Sequence, residues 1–326
     1  MGKKSKKKAL TFSFGEPETV LKGELSQYLG VYLLDNGQYY QTPMPWVGLG
    51  RLLRANAYHW PTLEFKVNMV MRGFVGSPAL SRVKFRKVAT DYMVFANAYL
   101  QRRYNVFRQV IRYDHLAAIN MRQAREEDRY CMLGVDGKVT LFEPGEVLHI
   151  KSYDVMQDIY GLPSYIGAIQ SMLLQEDATL FRRRYYKNGA HMGYVFYSSS
   201  SHLDLDDQEA IRDAVSKSKG VGNFRNLFLH IPNGKEKDIQ ILPVGDFSTK
   251  DELEKIKNIS RDDIIAAHRI PPALANVIPA VAGGLGDIEK ADSVYVRNEI
   301  IPLREEFAIV NEELAPALQV RFEASA

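Results

Sequence analysis

Four residues of one short segment have side chains of the types that bind divalent cations: His202, Asp204, Asp206 and Asp207. Carboxylate and imidazole groups could hold a metal ion there, and such an ion can activate water for cleavage of DNA. However, Asp206 followed by Glu209 also matches the start of a helix, where the first side chain caps the backbone. The capping interpretation is preferred, and a metal-dependent nuclease is kept as the alternative function.

Other patterns typical of catalytic sites are absent, incomplete or without their context. Ser81-Arg82-Val83-Lys84 matches S-x-x-K but lacks the companion motifs, so it is interpreted as a chance match. Gly48-Leu49-Gly50 lacks the third glycine of a dinucleotide fingerprint, and there is no G-x-x-x-x-G-K-[ST], H-E-x-x-H or G-x-S-x-G pattern. Cys131 is the single cysteine, which excludes an intrachain disulfide and a four-cysteine zinc site. The sequence therefore predicts a protein that is not an enzyme and needs no cofactor or metal.

Charge and composition narrow the class further. Of the chain's residues, 46% are hydrophobic and 25% are charged, which is typical of a globular protein. The length of 326 residues indicates more than one packed unit. The formal net charge is only +3, from 42 basic and 39 acidic residues. Because DNA affinity comes from neutralised phosphates, a dedicated tight DNA binder would carry a larger basic excess. No apolar run approaches the ~18 residues of a membrane span, so no membrane association is expected.

The hydrophobic periodicity predicts an α+β fold. Ser77 and Pro78 fit the N-cap and first position of an amphipathic helix, and after Asn97 the period changes to that of strands. Asp136-Gly137 between two apolar segments predicts a hairpin. The predicted segments are an extended arm (1–42), an α+β domain (43–160), a long helix (161–187), a small α/β insert (188–245), a second long helix (246–269), a loop (270–286) and a long helix with a short tail (287–326).

Several sequence stretches, in this order and spacing, resemble those of one known family. They are Lys-Val-Ala-Thr-Asp-Tyr (87–92), Phe-Ala-Asn-Ala-Tyr-Leu (95–100, with Ala96 where glycine is usual), Tyr-Gly-Leu-Pro-Ser (160–164), Tyr-Tyr-Lys-Asn-Gly-Ala (185–190) and Asp-Asp-Ile through His-Arg-Ile-Pro-Pro (262–272). The chain is similar in these stretches to the portal, or head-to-tail connector, proteins of tailed bacteriophages, in the short PBSX-type and temperate myophage branch. The resemblance spans residues 43 to 314.

The resemblance implies a homo-oligomeric ring, usually dodecameric, at one vertex of the phage capsid. Double-stranded DNA would enter through the ring during packaging by terminase and leave through the tail, without sequence-specific contacts. The implied partners are further copies of the chain, the terminase large subunit, a capsid or scaffold protein, and neck or head-completion proteins. The implied location is the virion, with the host cytoplasm during assembly.

The same resemblance assigns a role to each segment. Residues 43–160 would form the wing, and 161–187 with 246–269 the two-helix stem. Residues 188–245 would form the clip, and 270–286 the tunnel loop that faces the DNA. The long helix that follows contains Pro302, which removes a backbone hydrogen bond and predicts a kink.

The predicted tunnel loop carries an uncharged tip, which can touch a polyanion without holding it. Glycines next to the tip would give it hinge freedom. The expected DNA-channel residues are Asn276, Val277, Ile278, Pro279 and Ala280, and the expected hinge residues are Gly283, Gly284 and Gly286.

A group of cations at the end of the first long helix complements the negative end of the helix dipole. The group consists of Arg182, Arg183, Arg184 and Lys187. These side chains could line the channel or bind acidic groups of a neighbouring subunit, and subunit contacts are the preferred interpretation.

Overall fold

The structure is a computed structural model of the chain. It describes residues 37–134, 136–187, 194–198, 227–230, 239–243, 249–275 and 287–323.

The helices of these ranges include three in the first part of the chain, two long ones, and two short ones near the end. They are α1 (Trp46–Leu52), α2 (His59–Met71), α3 (Arg82–Phe95), α4 (Ile169–Lys187), α5 (Thr249–Ala267), α6 (Ile288–Tyr295) and α7 (Ile301–Phe307). A 3-10 turn at Ser164–Ala168 leads into α4, and another at Ala308–Glu313 follows α7.

The described strands form small sheets of two or three strands. They are β1 (Phe74–Val75), β2 (Asn97–Tyr104), β3 (Val110–Leu116), β4 (Met121–Gln123), β5 (Tyr130–Leu133), β6 (Val139–Leu141), β7 (Val147–Lys151), β8 (Tyr194–Ser198), β9 (Leu227–His230), β10 (Ile239–Pro243) and β11 (Arg321–Phe322). The sheet orders are β3-β2-β7, β4-β5-β6, β10-β8-β9 and β1-β11.

Strand β2 is the centre of the first domain. It pairs antiparallel with β3 on one side and with β7 on the other, and its first four residues are buried. The ring of Tyr99 stacks on His149 of β7 with centroids 4.2 Å apart. Helices α2 and α3 pack together, and α3 packs on β2 and β3, which gives the α+β arrangement that the sequence predicts.

Helix α3 passes directly into β2 through Ala96. This residue has φ of 54°, a left-handed conformation that glycine adopts more easily than alanine. The backbone N–H of Ala96 donates to the carbonyl of Tyr92 and closes the helix. This left-handed conformation fits the glycine that is usual at this position in the family that the sequence resembles. Alanine in the same conformation costs some stability.

The prediction for the start of α3 is wrong by four residues. Ser81, not Ser77, is the N-cap, and its hydroxyl accepts from the backbone N–H of Lys84. Ser77 instead closes a separate turn, in which its hydroxyl accepts from Leu80 N–H. Two serines four residues apart offer equivalent caps, and the turn between them decides which one begins the helix.

The predicted hairpin around Gly137 is confirmed. Strands β5 and β6 pair antiparallel, and Gly137 has φ of 78°, as a tight connection requires.

The insert between α4 and α5 has mixed strand directions. Strand β8 pairs in parallel with β9 and antiparallel with β10. A parallel pair requires a crossover connection, as expected for the predicted α/β insert. The helix predicted near Asp206 and the four possible metal ligands, His202, Asp204, Asp206 and Asp207, lie outside the described residues.

The end of the chain returns to the first domain. Strand β11 pairs with β1, and the rings of Phe74 and Phe85 stack with centroids 4.0 Å apart. Phe307 and Phe322 pack edge-on against Phe85. Four aromatic side chains from distant parts of the sequence therefore join the last helices to α3.

A π-helical turn, Val296–Ile300, joins α6 to α7 directly before Pro302. In this turn the N–H of Ile301 donates to the carbonyl of Val296, five residues earlier. The wider turn lies where the proline ring would otherwise meet the preceding carbonyls. The bend predicted at Pro302 stays a prediction.

The connection from the first domain into α4 depends on Gly161. Its N–H and carbonyl both bond to the Asn97 side chain at 2.9 Å, and a Cβ atom added here would lie 2.2 Å from the carbonyl oxygen of Ala96. Gly161→Ala should therefore lower the free energy of unfolding by at least about 2 kcal/mol. Gly167→Ala is the control, since nothing lies within 4 Å of its added Cβ. Equal thermal unfolding midpoints of the two variants would contradict the expectation.

Candidate functional site at the helix junction

The long helices α4 and α5 form a two-helix arm. The Ser171 hydroxyl donates to the carboxylate of Asp263 at 2.9 Å. Met172 of α4 and Ile264 of α5 are fully buried near this contact. Further along, Arg182 lies close enough to Lys257 to lower the pKa of that lysine, after burial, which is the main cause. Later residues of α4 thus contact earlier residues of α5, so the two helices run antiparallel.

The arm presents cations near the end of α4. Arg182 and Arg183 are exposed, and neither forms an ion pair with any described residue. The side chains of Arg184 and Lys187 lie outside the description, although both residues belong to α4. The choice between channel lining and subunit contact for these four residues stays a prediction.

The arm ends at a sharp change of direction after α5. His268 and Ile270 are buried, whereas Arg269 between them has φ of 57°, a left-handed conformation. A proline pair follows, and the turn after it ends at Ala275, which donates to the carbonyl of Pro272 at 3.1 Å. Arg269 therefore stops the helix and directs the chain into the segment where the tunnel loop is predicted.

We call the described segments on either side of the predicted loop its feet: the first foot is residues 268–275, and the second begins at Asp287. A buried histidine pair fixes the first foot. His59 Nδ1 of α2 lies 2.9 Å from His268 Nε2, and the two rings stack. The Tyr165 ring packs edge-on against His59, with its hydroxyl donating to the carbonyl of Val94 at 2.5 Å. Burial lowers the pKa of His59 to about 4 and that of His268 to about 3. Both rings are thus neutral at pH 7 and can share one hydrogen bond.

Lys66 of α2 connects this foot to the second one. Its ammonium group donates to the carbonyl of His268 at 3.5 Å, and it forms a short, nearly buried ion pair with Glu299 of the π turn. Burial lowers the pKa of Lys66, while the adjacent carboxylate of Glu299 opposes the shift. Arg269 lies 3.7 Å from the same carboxylate. One buried lysine therefore holds both sides of the loop.

Arg304 of α7 attaches the second foot to the C-terminal end of α2. Its guanidinium is buried and donates to the carbonyls of Met69 and Val70, at 3.0 and 3.3 Å, and to that of Arg72. These carbonyls belong to the last turn of α2, which has no intrahelical partners for them. The guanidinium thus satisfies the end of one helix while attaching another to it.

The second foot begins at Asp287. Its carboxylate accepts from the backbone N–H of Lys290 at 3.0 Å and caps α6. Asp292 in the same helix pairs with Arg72 of the α2 end at 3.3 Å. The structure therefore describes both feet of the predicted loop. The predicted channel and hinge residues lie outside the described residues: Asn276, Val277, Ile278, Pro279, Ala280, Gly283, Gly284 and Gly286.

No group of three or more His, Cys, Asp or Glu side chains in the described part of the chain could hold a metal ion. Among the described helices, none combines the length and apolar character that a membrane crossing needs.

The junction residues were not among those singled out in the sequence. Lys66 and Arg304 look like ordinary solvent-facing cations of helices, and only the pairing across more than two hundred residues makes them structural. One signal was present for Lys66, since it falls among the apolar positions of a helix whose neighbours Leu63, Val67 and Val70 are all buried. A charged residue in that position requires a buried partner.

Comparison with known proteins identifies the family. A family model described as phage portal protein matches residues 77–323, well over half of the chain. The chain therefore belongs to the phage portal protein family. This confirms the family and the portal function predicted from the sequence, and no comparison supports the nuclease alternative.

Two relatives have the same description, "Probable portal protein". The one from Escherichia phage P2 is 42% identical over 301 residues, which cover 92% of this chain and 87% of the relative. The one from Haemophilus phage HP1 (strain HP1c1) is 36% identical over 320 residues, covering 96% and 92%.

A solved structure shows the same fold at low sequence identity. It is the neck of a native gene transfer agent particle computed with C12 symmetry, and its matched chain is 16% identical with a TM-score of 0.62. The match covers 93% of this chain and 89% of that one. The predicted α+β portal fold is thereby confirmed.

The Lys66–Glu299 pair can be tested by substitution. Lys66→Met should lower the free energy of unfolding by roughly 3 kcal/mol, because it leaves the nearly buried carboxylate of Glu299 with only the exposed guanidinium of Arg269, 3.7 Å away, as a partner. The double variant Lys66→Met, Glu299→Leu should recover most of this loss. Lys138→Met is the control, as Lys138 and Asp136 form an exposed pair, and it should change stability by less than about 0.5 kcal/mol. Denaturant unfolding of the parent, Lys66→Met, Glu299→Leu and the double variant measures the coupling, and Lys138→Met is unfolded alongside.

Proposed function

We propose that this portal protein assembles into a closed ring of twelve copies, through which double-stranded DNA passes into and out of the phage head. The observation that carries the proposal is the two-helix arm. Its second helix, α5, ends at the predicted loop, and both feet of that loop are fixed to α2. Such an arm exposes Leu173, Leu180 and Ile259 in the single chain. Repetition about an axis would cover these side chains, and heterologous contacts close into rings. The C12 symmetry of the similar neck structure supports the number.

Each segment has a place in this proposal. Residues 43–160 form the wing, 161–187 and 246–269 the stem, and 188–245 the clip. The clip faces the terminase large subunit during packaging and the neck or head-completion proteins afterwards. The wing faces the capsid or scaffold protein. The ring is part of the virion and forms in the host cytoplasm during assembly.

The loop 270–286 is proposed to face the DNA. Its tip has no charged side chain, so it can touch the duplex without the salt-dependent affinity that fixed phosphate contacts bring. Feet held by a buried ion pair and a buried arginine keep the loop in place while its tip meets a moving polymer. Rigid support and an uncharged tip are the two properties that a passage for DNA requires.

The loop can be tested separately from ring formation. Deleting residues 277–284 should leave annular particles intact by electron microscopy but lower the amount of DNA packaged in a complementation assay, because the feet remain fixed. A variant of unchanged length, with Val277, Ile278 and Val281 replaced by serine, is the control for loss of the apolar tip alone. Full packaging by the deletion variant would refute the role of the loop. Absence of annular particles from the unaltered protein would refute the ring.

The portal is proposed to act without catalysing a reaction. The family is a structural one, and the described residues contain no candidate metal cluster. The purified protein should therefore neither hydrolyse ATP nor cleave DNA in the presence of magnesium. The variant in which His202, Asp204, Asp206 and Asp207 are all alanine provides the comparison. A magnesium-dependent activity that is present in the parent and lost in this variant would restore the nuclease alternative.

A further inference from the structure

The turn between β2 and β3 is held in one conformation by a single side chain. The Asn105 side-chain oxygen accepts from the backbone N–H groups of Phe107 and Gln109, both at 2.9 Å. The Asn105 amide also donates to the Gln109 side chain at 2.9 Å. Arg108 adopts a left-handed φ of 60° within this turn. The turn is therefore preorganised, and the side chains on it are presented in fixed directions.

This rigid turn exposes two apolar side chains that are among the most exposed large apolar residues of those described. Val106 is 92% and Phe107 is 80% exposed. Exposing them to water is unfavourable by ~25 cal/mol per Å² of apolar area relative to burial. A well-ordered turn that keeps such side chains in solvent is typical of a protein–protein contact.

Cations surround the exposed pair. Arg103 and Arg112 face each other across the hairpin and share the carboxylate of Asp114 with Lys84. Arg108 at the turn itself is exposed and has no ion pair with any described residue. Four positive charges thus stand against one negative charge. We call the turn with Val106, Phe107 and Arg108, together with the flanking Arg103 and Arg112, the hairpin tip.

A surface of opposite character lies on the last helices. Ile301, Glu305 and Ile309 follow one another at four-residue spacing, which places them on one side of the helical segment. Glu312 lies three residues further in the 3-10 turn, where residues three apart are superimposed. The two isoleucines are 42% and 39% exposed, and the two carboxylates are exposed without an ion pair to a described residue. We call these four residues the acidic stripe.

We propose that the hairpin tip of one subunit docks on the acidic stripe of the adjacent subunit in the ring. Val106 and Phe107 cover Ile301 and Ile309, while Arg108 and Arg112 meet Glu305 and Glu312. The partner is a second copy of this chain because both complementary surfaces occur on it. This inference rests on the proposed ring.

Among the described residues, no hydrogen bond or ion pair joins the hairpin tip to the acidic stripe within one chain. Arg102 at the base of the hairpin forms a two-pronged ion pair with Glu313, at 2.7 and 2.6 Å. Val110 bridges to Leu314. The base is thus fastened beside the stripe while the tip stays exposed. Two different complementary surfaces on one subunit give a heterologous contact, the kind that generates a closed ring.

Ring assembly tests the apolar part of the contact. Val106→Ser with Phe107→Ser should raise the protein concentration needed for half-maximal ring formation by on the order of tenfold or more. The turn is unaffected, because Asn105 remains. Val155→Ser is the matched control, since Val155 is 81% exposed in a loop far along the chain. Analytical ultracentrifugation and electron microscopy measure the fraction of the protein assembled into rings at each concentration. Circular dichroism shows whether the variants are folded.

Charge reversal tests the pairing itself. Arg108→Glu and Glu305→Arg should each weaken ring formation, and the two together should restore it at least in part. An independent measurement uses Phe107→Cys with Ile309→Cys, as the single native cysteine, Cys131, is buried. Oxidation of assembled rings should then give a ladder of covalent multimers.

Each outcome separates the two claims. If the unaltered protein forms no rings, the proposed function fails. Suppose instead that the protein forms rings. If the variant with Val106→Ser and Phe107→Ser then assembles as well as the parent, or no worse than the control Val155→Ser, the proposed docking is wrong. Failure of the double reversal to exceed both single variants, or absence of covalent multimers from assembled rings, also overturns it.

Discussion

The nearly buried ion pair between Lys66 and Glu299 is the interaction on which the remaining structure depends. A lysine ammonium removed from water loses several kcal/mol of solvation, and only a close carboxylate and a further acceptor can offset that loss. Glu299 supplies the first and the carbonyl of His268 the second. Because these partners come from opposite sides of the predicted loop, satisfying one lysine fixes the spacing of both feet. The electrostatic requirement is thus also a geometric one.

Helix α2 is the common support for these contacts. Its first residue, His59, contacts the end of α5, its middle carries Lys66, and its last carbonyls receive Arg304. The last helices are held a second time by the aromatic packing of Phe307 on Phe85. A helix attached at its start, middle and end cannot rotate against the elements it joins without breaking several buried hydrogen bonds, each of which is costly to leave unmade.

Local signals in the sequence were sufficient for much of the fold but not for the junction. The Gly137 hairpin was predicted because its turn chemistry is local, and the two long helices because their periodicity is local, whereas their pairing in a stem was implied only by the family resemblance. The cap of α3 was misplaced since Ser77 and Ser81 are equally good by residue type. The apolar neighbours of Lys66 on its helix point to burial, but the partners of Lys66 and Arg304 could not be recognised, because they lie more than two hundred residues away and only the tertiary fold brings them together.

The junction and the hairpin tip belong to one continuous packed structure. From the loop feet, contacts pass through α2 to α3, and α3 leads without a linker into β2 at Ala96, where Asn97 is bonded to Gly161 at the base of the arm. Strand β2 then ends at the turn that bears Val106 and Phe107. Close-packed interiors are poorly compressible and transmit displacement. If the loop faces passing DNA and the subunits form the ring, both as proposed, a force on the loop would reach the surface proposed to contact the neighbouring subunit, so that the load on one loop would be shared around the ring.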